Sequence, residues 1–289
     1  MSILITGTGT LVGNTLAHKL LSSKNVIYAT YYKSYPKDLY NKKNIKLHKM
    51  NIENPMLKNN NITTIIHCAS AIPDYQFRNK KYEIVNFEGF KKMLSNLPNL
   101  KHVILMSTIS IYGKINTKTI NEKTKINKSV GYGKSKYLME KFLIKDSKKN
   151  NYNYTILRLA AVLGKNSKHN FLSNFILDLK KNKKYFSFKN SKLLFNNCIH
   201  AETISKVVSY VIKKKIYGIY LLGTVKPQKL GLILNLAKKY KKNIILNYKE
   251  DNMGFNINVK KALSKKMPLI TTLKTINKFL KENMIVKKY

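Results

Sequence analysis

An apolar run that ends abruptly in glycine constrains this chain more than any other feature: Ser2-Ile-Leu-Ile-Thr6, then Gly7, Gly9 and Gly13. Four β-prone or apolar residues running into glycine predict a strand that turns at once into a helix. Gly7 lets the chain turn sharply, and Gly13 lets the helix lie close to the strand. The first helical N–H groups then point at a phosphate, around Gly7, Gly9, Thr10, Leu11, Val12 and Gly13. Such a motif carries weight only with a strand before it and a helix after it, and both are present here. The spacing is G-x-G-x-x-x-G, with Thr10 where the usual T-G-x-x-G-x-x-G pattern has glycine. Either Gly9 takes over the close approach to a pyrophosphate, or Thr10 weakens it.

The next 160 or so residues repeat the alternation. Strands are predicted at Ser2–Thr6, Asn25–Thr30, Ile45–Asn51, Thr63–Cys68, His102–Thr108 and Tyr154–Leu159, with helices at Leu11–Leu21, Asn86–Leu94 and Gly133–Lys145. This spacing implies βαβ units and a doubly wound α/β sheet with ligands at the carboxyl ends of the strands. Beyond about Lys165 the pattern becomes irregular, with helices expected near Phe171–Lys180, Ala201–Lys213 and Leu230–Lys241 and short strands near Tyr217–Leu222 and Ile244–Tyr248. The expected division is a dinucleotide-binding domain over residues 1–165 and a smaller substrate-binding lobe over 166–289.

A formal charge of +42 argues at first for a nucleic-acid partner. Its distribution argues otherwise: Arg78 and Arg158 are the two arginines, and the remaining basic residues are lysines spread along the whole chain. Dedicated phosphate readers use the arginine fork, so no specific nucleic-acid interface is expected. Cys68 and Cys198 are far apart and the histidines are scattered, so neither a disulfide framework nor a metal site is expected. No stretch approaches the roughly 20 apolar residues of a membrane helix, and a cytoplasmic protein without membrane contact is expected.

Two further stretches carry chemistry. After the second strand the chain reads YATYYKS; Tyr31 and Tyr32 bring no carboxylate for ribose hydroxyls, whereas Lys33 suits a 2′-phosphate, so NADP is favoured over NAD. In GYGKSKYLMEKFL, Tyr132 and Lys136 lie four apart and share a helix face. A neighbouring ammonium favours phenolate, which brings a phenol into the range for proton exchange with a carbinol or carbonyl. Some 24 residues earlier, VILMSTISIYG is an apolar strand ending in the hydroxyls of Ser107 and Thr108, which suit polarisation of a reacting oxygen.

In this order, the glycine turn, the hydroxyl-ended strand and YxxxK make the chain resemble the extended short-chain dehydrogenase/reductase family, the NAD(P)-dependent epimerase/dehydratase group that acts mainly on nucleotide sugars. The resemblance covers residues 2–165 well and implies a Rossmann fold. NIE at Asn51–Glu53 is similar to the family's Asp-hydrophobic pair, which places Asn51 and Ile52 against adenine. IIHCASA resembles the His-x-Ala-Ala strand, placing Cys68, Ala69 and Ser70 beside the cofactor, and VNFEGFKKML resembles Asn-x-x-Gly-x-x-x-Leu, placing Asn86 in support of the active site. YGKSKYLME is similar to Tyr-Gly-x-Ser-Lys-x-x-x-Glu, and ILRLAAVLG to Arg-Pro-x-x-x-x-Gly with Leu159 in place of proline. Counting back four residues from Tyr112 puts the catalytic hydroxyl on Thr108, with Ser107 as its alternative.

The resemblance implies hydride transfer to or from a sugar carbon, with Tyr132 handling the proton, Lys136 tuning it and holding the nicotinamide ribose, and Thr108 polarising the oxygen. The family's dehydratases place Asp-Glu after the threonine. Ile109 and Ser110 stand there instead, which disfavours dehydration. Chain length and Lys33 favour a 4-keto-sugar reductase over an epimerase, and the family's habit implies a homodimer through the helix of Gly133–Lys145. One departure concerns the substrate. LLFNNCIHAETIS resembles Arg-Asp-Phe-x-His-Val-Asp-Asp, but Asn196 replaces the arginine that grips the nucleotide diphosphate, and Glu202 and Thr203 replace the acidic pair.

Overall fold

Strands buried on both faces are built from nearly continuous apolar runs, and those runs form the centre of this protein. In the computed structural model, which describes residues 1–21, 25–73, 79–188, 190–249 and 254–285, Ser2–Thr6 (β1), Thr64–His67 (β4) and His102–Thr108 (β5) lie in the middle of a seven-stranded sheet. Val26–Tyr31 (β2) and Ile45–Lys49 (β3) extend it on one side, Asn153–Leu159 and Gly218–Leu222 on the other. The order is Gly218–Leu222, Asn153–Leu159, β5, β4, β1, β2, β3. The pairs β1–β2, β1–β4, β2–β3 and β4–β5 are parallel. Edge strand β3 keeps Lys46 exposed, a charge that discourages pairing with another chain.

Because β1 pairs with β2 on one side and β4 on the other, the winding reverses at β1, and a crevice opens at the carboxyl ends of β1 and β4. On one face, Phe90, Met93, Met139 and Leu143 pack against Leu4, Ile65, Val103 and Leu105. The expected Asn86–Leu94 helix runs longer, from Asn79 to Ser95, and its turns at Glu83–Glu88 are π-helical, a widening frequent at functional sites.

Two compact units interleave along the chain. The first comprises residues 1–114, 124–158 and 204–220; the second comprises 115–123, 159–203 and 221–289 and has its own core, in which Phe175, Phe186, Phe195 and Phe279 are buried. Residues 204–220 belong to the first unit because their strand supplies an edge of the large sheet. Among the described residues, no helix is long and apolar enough to cross a membrane.

Candidate active site

The glycine turn is shaped first by chain meeting chain. Gly7 has φ +72°, in the left-handed region, and a Cβ there would lie 2.8 Å from the Ala69 nitrogen. A Cβ on Gly9 would lie 2.1 Å from the Ser34 carbonyl oxygen, and one on Gly13 would lie 2.3 Å from the Gly7 carbonyl oxygen. Thr10 caps the helix Leu11–Leu20 (α1): its hydroxyl donates to the Gly7 carbonyl at 2.7 Å and accepts from the Gly13 N–H at 3.4 Å. The close approach seen at Gly9 is to the backbone of Ser34. Gly13→Ala forces α1 away from the turn, and we expect it to destabilise the protein by at least about 1 kcal/mol despite the better helix propensity of alanine. Urea denaturation measures this, and a variant as stable as the parent contradicts the contact.

Beside the turn lies a cavity of about 560 Å³ lined by Gly7, Gly9, Thr10, Tyr31–Ser34, Asn51–Glu53 and Ala69–Ile72, among others. Of the sequence-derived candidates, Gly7, Gly9, Thr10, Lys33, Asn51, Ile52, Ala69 and Ser70 contribute to this wall. Leu11, Val12 and Gly13 form the first turn of α1 behind it. Asn51 also closes a turn, its side-chain oxygen accepting the Glu53 N–H at 3.0 Å. Glu53 in turn pairs with Lys81 at 2.6 Å on the same wall, a pair that local spacing does not reveal.

The chain after β4 is pinned from two sides. The Thr6 hydroxyl accepts the N–H groups of Cys68 and Ala69 at 3.1 and 3.0 Å and bonds His67 Nδ1 at 3.0 Å. Buried Asn86 accepts the Ala71 N–H at 2.7 Å and the Ser70 hydroxyl at 3.1 Å. Its amide donates to the Ala71 carbonyl and, at 3.0 Å, to Ser135 on the helix Gly131–Lys149. Burial and the Lys136 charge keep His67 neutral, well below its usual range, and burial pushes the half-buried Cys68 thiol up to about 12.

Tyr132 is half-buried near the start of that helix, its carbonyl accepting the Ser135 hydroxyl at 2.8 Å, and lines a smaller cleft of about 470 Å³ with Ser110, Lys114 and Lys128. One turn on, Lys136 is 1% exposed; its ammonium donates to the Met106 carbonyl at 3.0 Å and lies 5.9 Å from the centre of the Tyr132 ring. The expected pull toward phenolate is absent here. Burial pushes the phenol up to about 12, only partly countered by the nearby Ser70, and burial likewise draws Lys136 down to about 8. The reason is that both groups are desolvated and the ammonium is directed at a carbonyl.

At the end of β5, Thr108 Oγ1 accepts the Ser110 N–H at 3.1 Å and stays half-buried. Its alternative, Ser107, is buried and donates its proton to Glu140. Glu140, 1% exposed, is held by Arg158 Nη2 at 2.7 Å, and Arg158 Nη1 donates to the Tyr112 hydroxyl at 3.0 Å. The sequence signal for this group was thin: Glu140 sits two turns after Tyr132 on one helix, and Arg158 is one of two arginines.

In the second unit Asn196 is buried, its amide donating to the carbonyls of Thr224 and Ile257 and accepting the Ile257 N–H at 2.7 Å. Its side chain is fully used in joining three backbone segments. His200, Glu202 and Glu282 group within 4.8 Å, but the Lys278 ammonium already sits on Glu202 and lies 3.9 Å from Glu282, so it supplies their countercharge.

Residues 3–222 match the sequence profile of the NAD dependent epimerase/dehydratase family. The chain belongs to that family. Membership in the epimerase/dehydratase family agrees with the sheet order and the crevice. A curated relative, UDP-glucose 4-epimerase of Lactobacillus helveticus, is 26% identical over 178 residues, 58% of this chain and 53% of the relative; the match thus spans about half the length of that protein. Among solved structures, UDP-glucuronic acid 4-epimerase from Bacillus cereus in complex with NAD superimposes with a TM-score of 0.83 at 16% identity over 97% of both chains. UDP-N-acetylglucosamine 4-epimerase from Methanobrevibacter ruminantium gives 0.82 at 14% identity, again over 97% of both. At these identities the likeness is one of fold.

Proposed function

We propose that this protein is a nicotinamide-dependent oxidoreductase that interconverts C4 epimers of a nucleotide-linked sugar. The observation that carries the reading is the chain of bonds that ties the Tyr132–Lys136 helix to the cavity at the carboxyl ends of β1, β2 and β4: the Tyr132 carbonyl accepts the Ser135 hydroxyl at 2.8 Å, Ser135 accepts from Asn86 at 3.0 Å, and Asn86 accepts the hydroxyl of Ser70 on the cavity wall at 3.1 Å. The names of the curated relative and of the superimposable structures support the C4 chemistry.

The residues present fit a dinucleotide. Gly7, Gly9 and Thr10 leave a wall without bulky side chains beside the start of α1, suited to a pyrophosphate. Lys33, Asn51 and Ile52 would hold the adenosine end; Cys68, Ala69, Ser70, Asn86, Tyr132 and Lys136 would surround the nicotinamide ribose. When bound, the nicotinamide supplies the hydride acceptor and donor for the sugar carbon. Tyr132, protonated through the neutral range, is ready to give a proton to a reacting oxygen. Thr108, at the strand end, polarises that oxygen, and Lys136 steadies the charge on Tyr132 when its proton leaves. With Asn196 buried, the sugar's nucleotide is gripped by groups other than the family's arginine.

A second reading, NADPH-dependent reduction of a 4-keto sugar, is favoured by Lys33: it lines the cavity, and no carboxylate comes from the segment Tyr31–Ser34. Length does not separate the two readings, since a 4-epimerase structure is covered over 97% of both chains. Protein purified in high salt and then denatured decides between them through mass spectrometry of any released nicotinamide, with a parallel titration of native protein by NADH and NADPH. Retained NAD supports the epimerase. An empty site that prefers NADPH supports the reductase, and binding of neither overturns both.

A further inference from the structure

We propose that Glu140 is a positioning residue: anchored by Arg158 and Ser107, it keeps the buried ammonium of Lys136 charged and locks the end of β5 beneath Thr108. This rests on the reading of Lys136 as the cation that serves Tyr132. A buried ammonium is costly unless an anion or several acceptors face it. Lys136 is 1% exposed and donates to a single neutral acceptor, the Met106 carbonyl at 3.0 Å. Glu140 lies one helical turn on, itself 1% exposed.

Three consecutive residues at the end of β5 then have linked tasks. Met106 receives the Lys136 ammonium, Ser107 donates to Glu140, and Thr108 caps the turn that follows. Displacing Ser107 therefore moves both the cation and the candidate catalytic hydroxyl. Arg158 fixes the carboxylate with Nε at 3.2 Å from each oxygen and Nη2 at 2.7 Å from Oε2, a two-pronged grip that a lysine could not reproduce.

The charged and titratable groups around Lys136 come from several elements: His67 and Cys68 from the end of β4, Tyr132 and Glu140 from its own helix, and Arg158 behind Glu140. Burial lowers Lys136, whereas Cys68 and Glu140 raise it. With His67 neutral and the Cys68 thiol pushed up to about 12, the carboxylate of this set is Glu140, ion-paired with Arg158.

Competitive acylation of the cofactor-free protein across a pH series, with Lys136 followed by peptide mass spectrometry against exposed lysines, tests this. Glu140→Gln is the first variant. Glu140→Leu/Arg158→Met is the second, because replacing both members of a buried pair by apolar residues is often tolerated where removing one is not. The expected result is a midpoint displaced to lower pH, so that the relative acylation rate near neutrality rises about tenfold while the plateau at high pH stays unchanged. An unchanged midpoint in either folded variant overturns the proposal. So does a raised plateau at an unchanged midpoint, which marks mere loosening. Since no cofactor is present, failure to bind NADH or NADPH overturns the proposed function without altering this result.

Discussion

Tyr132→Phe lowers turnover by at least about a hundredfold and leaves dinucleotide affinity within a few-fold of the parent, the scale of a lost general acid. The ring is retained, so its edge contact with Tyr82, at 6.3 Å between centroids, and its packing beneath Lys136 survive. Only the hydroxyl is lost. The substitution also removes a titrating group whose proton is held up to about 12 by burial, so the variant differs from the parent at neutral pH by one donor and no charge. Steady-state rates with a nucleotide-linked sugar, beside a fluorescence titration with NADH, measure both halves. Undiminished turnover removes Tyr132 from the chemistry; equal loss of turnover and of dinucleotide affinity makes it a binding residue.

Arg158→Ala destabilises the fold by about 3–5 kcal/mol, the cost of leaving a buried charge without its partner. Glu140 would keep only the Ser107 hydroxyl among the groups now bonded to its carboxylate. Tyr112, fully buried, would lose the donor at 3.0 Å. Exposed pairs make the contrast. Lys91–Glu88, whose side chains are 39% and 45% exposed, sits in solvent where such pairs contribute about 0–1 kcal/mol. Urea denaturation of Arg158→Ala and Lys91→Ala side by side separates the two cases. A loss below about 1 kcal/mol in Arg158→Ala would mean that water reaches Glu140 and that the pair is not a buried one.

Much of this architecture was written in local order. The run Ser2–Thr6 into Gly7 predicts the first strand and turn because alternation and backbone freedom are properties of neighbouring residues, and β1 and β5 occupy the ranges expected for them. Tyr132 and Lys136 were visible as a pair because a helix repeats its face every three to four residues. Family membership followed from the order of such local motifs.

What needed the tertiary structure is whatever depends on segments distant along the chain. Gly9 meets Ser34 only after β1 and β2 pair, and Thr10 acts as a cap where the pattern anticipated a glycine. Gly218–Leu222 joins the large sheet although the sequence around it reads like the lobe. Ser107, Glu140 and Arg158 converge because β5, a helix and a neighbouring strand pack together, and desolvation at that junction sets the protonation of Lys136 and Tyr132. Periodicity, a short-range property, is carried by sequence alone; burial and partnership are created when distant segments close on one another and exclude water.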